Sequence, residues 1–178
     1  MSHPDWYVSI PSARTVWRAL RTPAFDPGDY AHPEILTATV GLLHAHQRQL
    51  ASFGQIETLI SSKAARPDWA VVGEDFARTT REIHKLMARI DLHVHDLLIE
   101  HAIDFAHARP HPHGLGEALS RHIRLWAREM TADPDFVPTS VAANALIEQA
   151  HDYNRLVARI VSGRVHLPHP ASLTGSAV

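Results

Sequence analysis

Residues 33–62 read PEILTATVGLLHAHQRQLASFGQIETLISS, and residues 68–108 read DWAVVGEDFARTTREIHKLMARIDLHVHDLLIEHAIDFAHA. Placed at 100° per residue, the first stretch gathers Ile35, Leu36, Val40, Leu42, Leu43, Leu50, Phe53, Ile56 and Ile60 on one arc. The second gathers Val72, Phe76, Ile83, Met87, Ile90, Val94, Leu97, Leu98 and Phe105. Each stripe is that of an amphipathic helix, and Arg66-Pro67-Asp68 supplies the break between them. The rise per residue makes the two helices roughly 45 and 60 Å long, and their short connection makes them antiparallel neighbours. With the turn near residue 65, positions whose numbers sum to about 130 lie level.

Outward from this hairpin, proline punctuates the chain. Ser12 to Arg21 reads as a short helix with Ser12 as N-cap and Val16, Trp17 and Leu20 facing inward. Thr22 to Tyr30 carries Pro23, Pro27 and Gly28 and reads as a loop. After a Pro/His turn over residues 109–114, a helix from Leu115 to Met130 turns Leu115, Leu119, Ile123, Trp126 and Met130 inward. Asp133-Pro134 to Pro138 breaks the chain again. The last helix starts near Thr139 or Ser140 and stops at Gly163, a natural C-cap, burying Ala142, Leu146, Ala150, Tyr153, Val157 and Ile160. No strand, internal repeat or low-complexity segment is predicted. The expected architecture is an all-α, four- to five-helix bundle around two long antiparallel helices, with residues 1–168 as one domain and 169–178 as a flexible C-terminal tail.

Composition narrows the function. With 178 residues, 45% hydrophobic and 20% charged, the chain can bury a core without staples. The absence of cysteine excludes disulfide frameworks, zinc ribbons, haem thiolates and cysteine nucleophiles, and fits a reducing cytoplasm. Met1-Ser2-His3-Pro4-Asp5-Trp6 lacks the basic and apolar regions of a signal peptide, and no run reaches the ~18 apolar residues of a membrane span. A formal charge of −2 argues against nucleic acid as a partner. Fifteen histidines are the unusual count, many of them in His-Pro loop contexts such as Pro110-His111-Pro112-His113. Their titration swings the net charge strongly positive on mild acidification.

Candidate site residues are polar side chains that periodicity places within an apolar arc, where burial is costly unless they are paired. On the first long helix, His46 and Glu57 fall near the middle of the arc and Gln47 at its edge. On the second, His101 lies in the middle, and His84, Asp91 and His95 form a stripe on one flank. His122 borders the apolar side of the next helix, and Tyr153 sits within that of the last. The level rule sets His46 opposite His84, with Asp91 further along. Two imidazoles beside a carboxylate suit acid–base chemistry, since one ring can be neutral while the other is charged. His46, His84 and Asp91 are therefore the expected catalytic groups, and Gln47, Glu57, His95, His101 and Tyr153 the expected substrate-binding ones. Satisfied core histidines are the bland alternative.

Other constellations are weaker. Asp104-Phe105-Ala106-His107 and Glu148-Gln149-Ala150-His151 share the carboxylate-x-x-His spacing of di-iron bundles, but His107, Glu148 and His151 point away from their apolar faces. Arg78…His84 and Arg89…His95 have the spacing of small helical ribonucleases, yet each arginine projects more than about 100° from its histidine. There is no Gly-rich phosphate loop, no Gly-x-Ser-x-Gly elbow and no His-Glu-x-x-His.

Leu42-Leu43-His44 with Glu57, Ile83…Leu86…Arg89-Ile90-Asp91 and the ending Gly163-Arg164-Val165-His166-Leu167-Pro168 follow the order of features in domain-of-unknown-function family 4254. So does His111-Pro112-His113-Gly114-Leu115-Gly116 followed by Arg121, which resembles a family His-Thr-Glu-Thr-x-Gly-x-x-x-Asp-Arg segment. The resemblance covers about residues 33–168 and implies a helical fold with no activity to transfer. The chain departs from it at His113, Gly114 and Ser120, where the family tends to Glu, Thr and Asp.

Three functions follow as expectations. The first is an enzyme processing a small molecule in an inter-helix pocket by isomerase-, lyase- or cyclase-type chemistry. The second is a non-catalytic ligand- or partner-binding bundle, a homodimer joined along its long helices. The third is a metal or haem protein, although no cofactor is implied by any motif.

Overall fold

The structure, a computed structural model, describes residues 10–22, 25–63, 66–132 and 141–168. Among the described residues five helices follow in order: α1 (Ala13–Arg21), α2 (Pro33–Ser62), α3 (Arg66–Glu100), α4 (Leu115–Ala132) and α5 (Val141–Val161). The all-α bundle expected from periodicity is what the chain adopts. Ser12 caps α1 by accepting the Thr15 N–H, and Pro33 opens α2 at a position whose N–H needs no partner. The loop after α1 contains a 3-10 turn, Pro27–Asp29, capped by the Asp26 carboxylate.

α2 and α3 run antiparallel, and the level rule holds. Arg48 pairs with Glu82, Gln49 with Thr80 and Ser52 with Asp75. The turn is tighter than expected. Lys63 takes the left-handed conformation at the C-cap of α2, and α3 is already helical at Arg66, so Pro67 lies within its first turn, where proline is tolerated. At its other end α3 stops at Glu100, short of the expected Ala108. The Ile103 N–H bonds the Leu98 carbonyl and the Ala102 N–H that of Ile99, a Schellman motif with Ala102 left-handed at φ 49°. His101 and Phe105 therefore leave the helix. α5 ends in the same motif, with Gly163 at φ 69° as expected.

One core forms where the helices meet. Val16 of α1, Leu36 and Leu42 of α2, Ile90 and Val94 of α3, Leu115, Leu119 and Ile123 of α4, and Leu146 and Ile160 of α5 are all fully buried. The core takes only half of the hairpin. No described residue from 53 to 78 is buried, and Phe53 and Ile60, placed on the core arc by periodicity, are 48% and 63% exposed. Among the described residues nothing packs on this tip, so its apolar stripe serves only to join α2 to α3, as in the edge contact of Phe53 with Phe76.

A feature absent from the periodicity closes the other end. β1 (Arg109–Pro110) and β2 (Val165–His166) pair in parallel, with the Arg109 N–H on the Arg164 carbonyl and the His111 N–H on that of His166. Two residues are too few to show alternation, which is why no strand was legible. The expected start of α5 at Thr139 or Ser140 and the tail at 169–178 lie outside the described residues.

Candidate functional site

Glycine lets α4 approach α3. A Cβ on Gly116 would lie 2.3 Å from the Met87 carbonyl oxygen, and one on Gly114 would lie 2.2 Å from Asp91 Oδ2. This contact buries Asp91, leaving it 5% exposed, and its Oδ1 accepts the Gly116 N–H at 2.8 Å. Burial pushes the Asp91 carboxyl up from its ordinary range, against the backbone N–H groups of Gly116 and Leu115 that favour its charged form.

One turn further along α3, His95 joins Asp91 in the wall of a cavity of about 230 Å³. Leu98, Ile103 and Phe105 make its apolar sides, and His166-Leu167-Pro168, held there by the β1–β2 pair, closes it. The His166 Nδ1 lies 3.4 Å from the Leu167 carbonyl, which can only accept, so in the neutral ring Nε2 is the basic atom. The cavity thus brings together a buried carboxyl of raised pKa, two imidazoles and an apolar lining. That combination can take a proton from one atom of a bound molecule and return one to another.

The expected His46–His84 pair does not form. The two positions are level, but His84 is exposed while His46 is 4% exposed and bonds the Ser120 hydroxyl through Nε2 at 2.9 Å. His84 and Asp91 share one face of α3, being seven residues apart. Their different burial comes from α4, which covers Asp91 at its first turn and by Ser120 has crossed onto α2. Burial, reinforced by Arg124, pushes the His46 ring down to about 4, against hydrogen bonding from Gln49 and Ser120 that raises it.

The remaining candidates scatter. Glu57 is exposed on the hairpin tip, and Gln47 is half-buried on α2. His101 is half-buried in the turn after α3, its Nδ1 donating to the Leu97 carbonyl at 2.9 Å. Tyr153 is buried, but its hydroxyl donates to the Pro11 carbonyl at 2.8 Å, which ties α5 to the segment before α1; burial pushes that hydroxyl up. The di-iron spacings fail, since Asp104, His107, Glu148 and His151 are all exposed. Among the described residues no group of three His, Asp or Glu is placed to hold a metal ion.

Three residues matter that periodicity did not single out or left at an edge. Ser120 satisfies His46, and nothing in its local sequence announces that. His122, at the border of the α4 apolar face, is fully buried; its Nε2 accepts the Trp17 indole N–H at 2.5 Å, and burial pushes the ring down to about 4. His166 was visible only as part of the C-terminal ending, because its place in the cavity depends on strand pairing across 56 positions of chain, from Pro110 to His166. No family model matches the chain, and neither curated proteins nor solved structures offer a match.

Proposed function

We propose that the chain processes a small molecule by acid–base chemistry in the cavity beside Asp91, with His95 and His166 as proton-transfer partners. What carries the reading is the meeting of Asp91, His95 and His166 on one apolar cavity. A cavity near 150 Å³ holds a benzene ring, so about 230 Å³ suits a single ring or short branched chain bearing one polar group. Isomerisation, elimination and cyclisation all need one proton removed and one delivered, and the carboxyl and imidazoles are the groups for it. His46, expected as a catalytic base, is better read as a core histidine bonded to Ser120. Cytoplasmic location and kinship with domain-of-unknown-function family 4254 belong to the same proposal. Of the three departures from the family segment, Gly114 abuts Asp91 and so falls on the structural support of the site, while Ser120 bonds the core histidine His46.

The test is an NMR screen of single-ring ketones and alcohols, read on the Leu98 and Ile103 methyl resonances, followed by turnover assays on the molecules that bind. Wild type should turn over at least one binder, and Asp91→Asn should bind it without turnover. A screen in which no compound moves those methyl signals overturns the reading.

A second reading, a helical homodimer, is supported by the hairpin tip, where Phe53, Ile60, Trp69 and Val71 are exposed. Two tips packed side by side would complete a four-helix arrangement and cover these side chains. Light scattering at micromolar concentration tests it: a monomeric mass, or a dimer unaffected by Ile60→Glu, overturns it.

A further inference from the structure

We infer that the groove between α4 and α5 is a binding site for a small phosphate ester, separate from the cavity beside Asp91. The groove measures about 490 Å³, and three arginines line it, Arg121 from α4 and Arg155 and Arg159 from α5, together with the Asp152 carboxylate. Its floor is Tyr153 and Leu156, with Ala118 on the α4 side. Three arginines stand here against two carboxylates, Asp152 and the Glu117 that pairs with Arg121, so the groove is cationic in a chain of net charge −2.

Two of the arginines are held only by exposed contacts. Arg121 pairs with Glu117 and meets His113 Nε2 at 3.4 Å, and Arg155 pairs with Asp152, contacts of the kind that contribute little and exchange readily. Arg159 has no ion-pair partner among the described residues. It stands four residues after Arg155, and like charges at that spacing repel each other on a helix. The C-terminal dipole of α5 favours Arg159, but it does not explain why Arg121 reaches the same groove from another helix.

The class of ligand follows from the donors. A carboxylate is satisfied by one planar guanidinium fork. Three arginines from two helices along one groove suit an anion with several oxygens in a tetrahedral array, which is a phosphate group. The apolar floor of Tyr153 and Leu156 adds a place for the organic part of the ester.

The experiment titrates inorganic phosphate, phenyl phosphate and benzoate into the full chain at constant ionic strength, following α5 amide signals by NMR. Phosphate and phenyl phosphate should saturate, the ester more tightly. Arg155→Gln/Arg159→Gln should weaken both by about ten-fold or more, while Arg14→Gln/Arg81→Gln, exposed arginines elsewhere, should leave them unchanged. All four arginines are exposed, so the variants keep the core intact. Absence of saturation with either phosphate, equal binding of benzoate, or equal weakening in both double variants overturns the assignment.

Discussion

Asp91 Oδ1 accepts the Gly116 N–H at 2.8 Å, so α4 starts on a carboxylate that belongs to α3. The residue before α4 is Gly114, which has no side chain to cap the helix, and the neighbouring helix provides the missing oxygen. The same carboxyl faces the cavity, so one group both positions α4 and lines the candidate site.

Structure and chemistry at Asp91 are separable. Asp91→Ala leaves buried N–H groups unpaired and should cost about 1–3 kcal/mol in urea unfolding. Asp91→Asn keeps an oxygen for Gly116 and should cost less than Ala, while removing the titrating proton. Equal losses in the two variants would show that the cap does not hold α4.

Acid should unfold the protein through its core histidines. His46 and His122 are held down to about 4 by burial, whereas in the unfolded chain they titrate near the ordinary imidazole value of 6.5. The unfolded state therefore binds more protons between these values. Stability is fully present above pH 6.5 and is lost as pH falls towards 4, by roughly 2–3 kcal/mol per ring. Urea midpoints at pH 7, 5.5 and 4.5 read this directly, and His46→Leu should remove about half of the slope.

Asp91 works in the opposite direction. Its folded pKa is raised, so its contribution to stability is present below the ordinary carboxylate pKa and is lost as pH rises through the folded value. Asp91→Asn should accordingly steepen the net rise of stability with pH over the carboxylate range. An unchanged profile would mean that the carboxyl is solvated.

The helix ends offer a matched pair of backbone tests. Ala102, left-handed at φ 49°, should gain about 1 kcal/mol on substitution by glycine. Gly163 at φ 69° should lose more than that on substitution by alanine, since the new Cβ would also lie 2.3 Å from the Asp104 carbonyl oxygen. Thermal unfolding of both variants decides it.

Gly116→Ala should be the most damaging single-methyl change on α4. The added carbon meets backbone at Met87, which cannot swing aside as a side chain can, so α4 must lift from α3 and expose Asp91. A loss of about 2 kcal/mol or more is expected, with partial opening of the cavity wall seen as faster hydrogen exchange at Leu115 and Gly116.

Local rules account for what periodicity and punctuation made legible. Apolar residues at helical spacing announced α2 and α3, and Pro33, Ser12 and Gly163 marked ends where the backbone needs a missing N–H, a capping oxygen or a left-handed turn. These are properties of a few consecutive residues, so they can be read without knowing what lies nearby. The end of α3 escaped the same reading because Ala102 occupies a place where glycine is the usual signal. Which polar residue is buried is a different kind of question. His84 and Asp91 share a helix face, yet one meets solvent and the other meets the first turn of α4. Cover comes from a segment distant in sequence, whose path depends on the crossing of whole helices and on a two-residue strand pair. Periodicity tells which way a side chain points, and only packing tells what it points at.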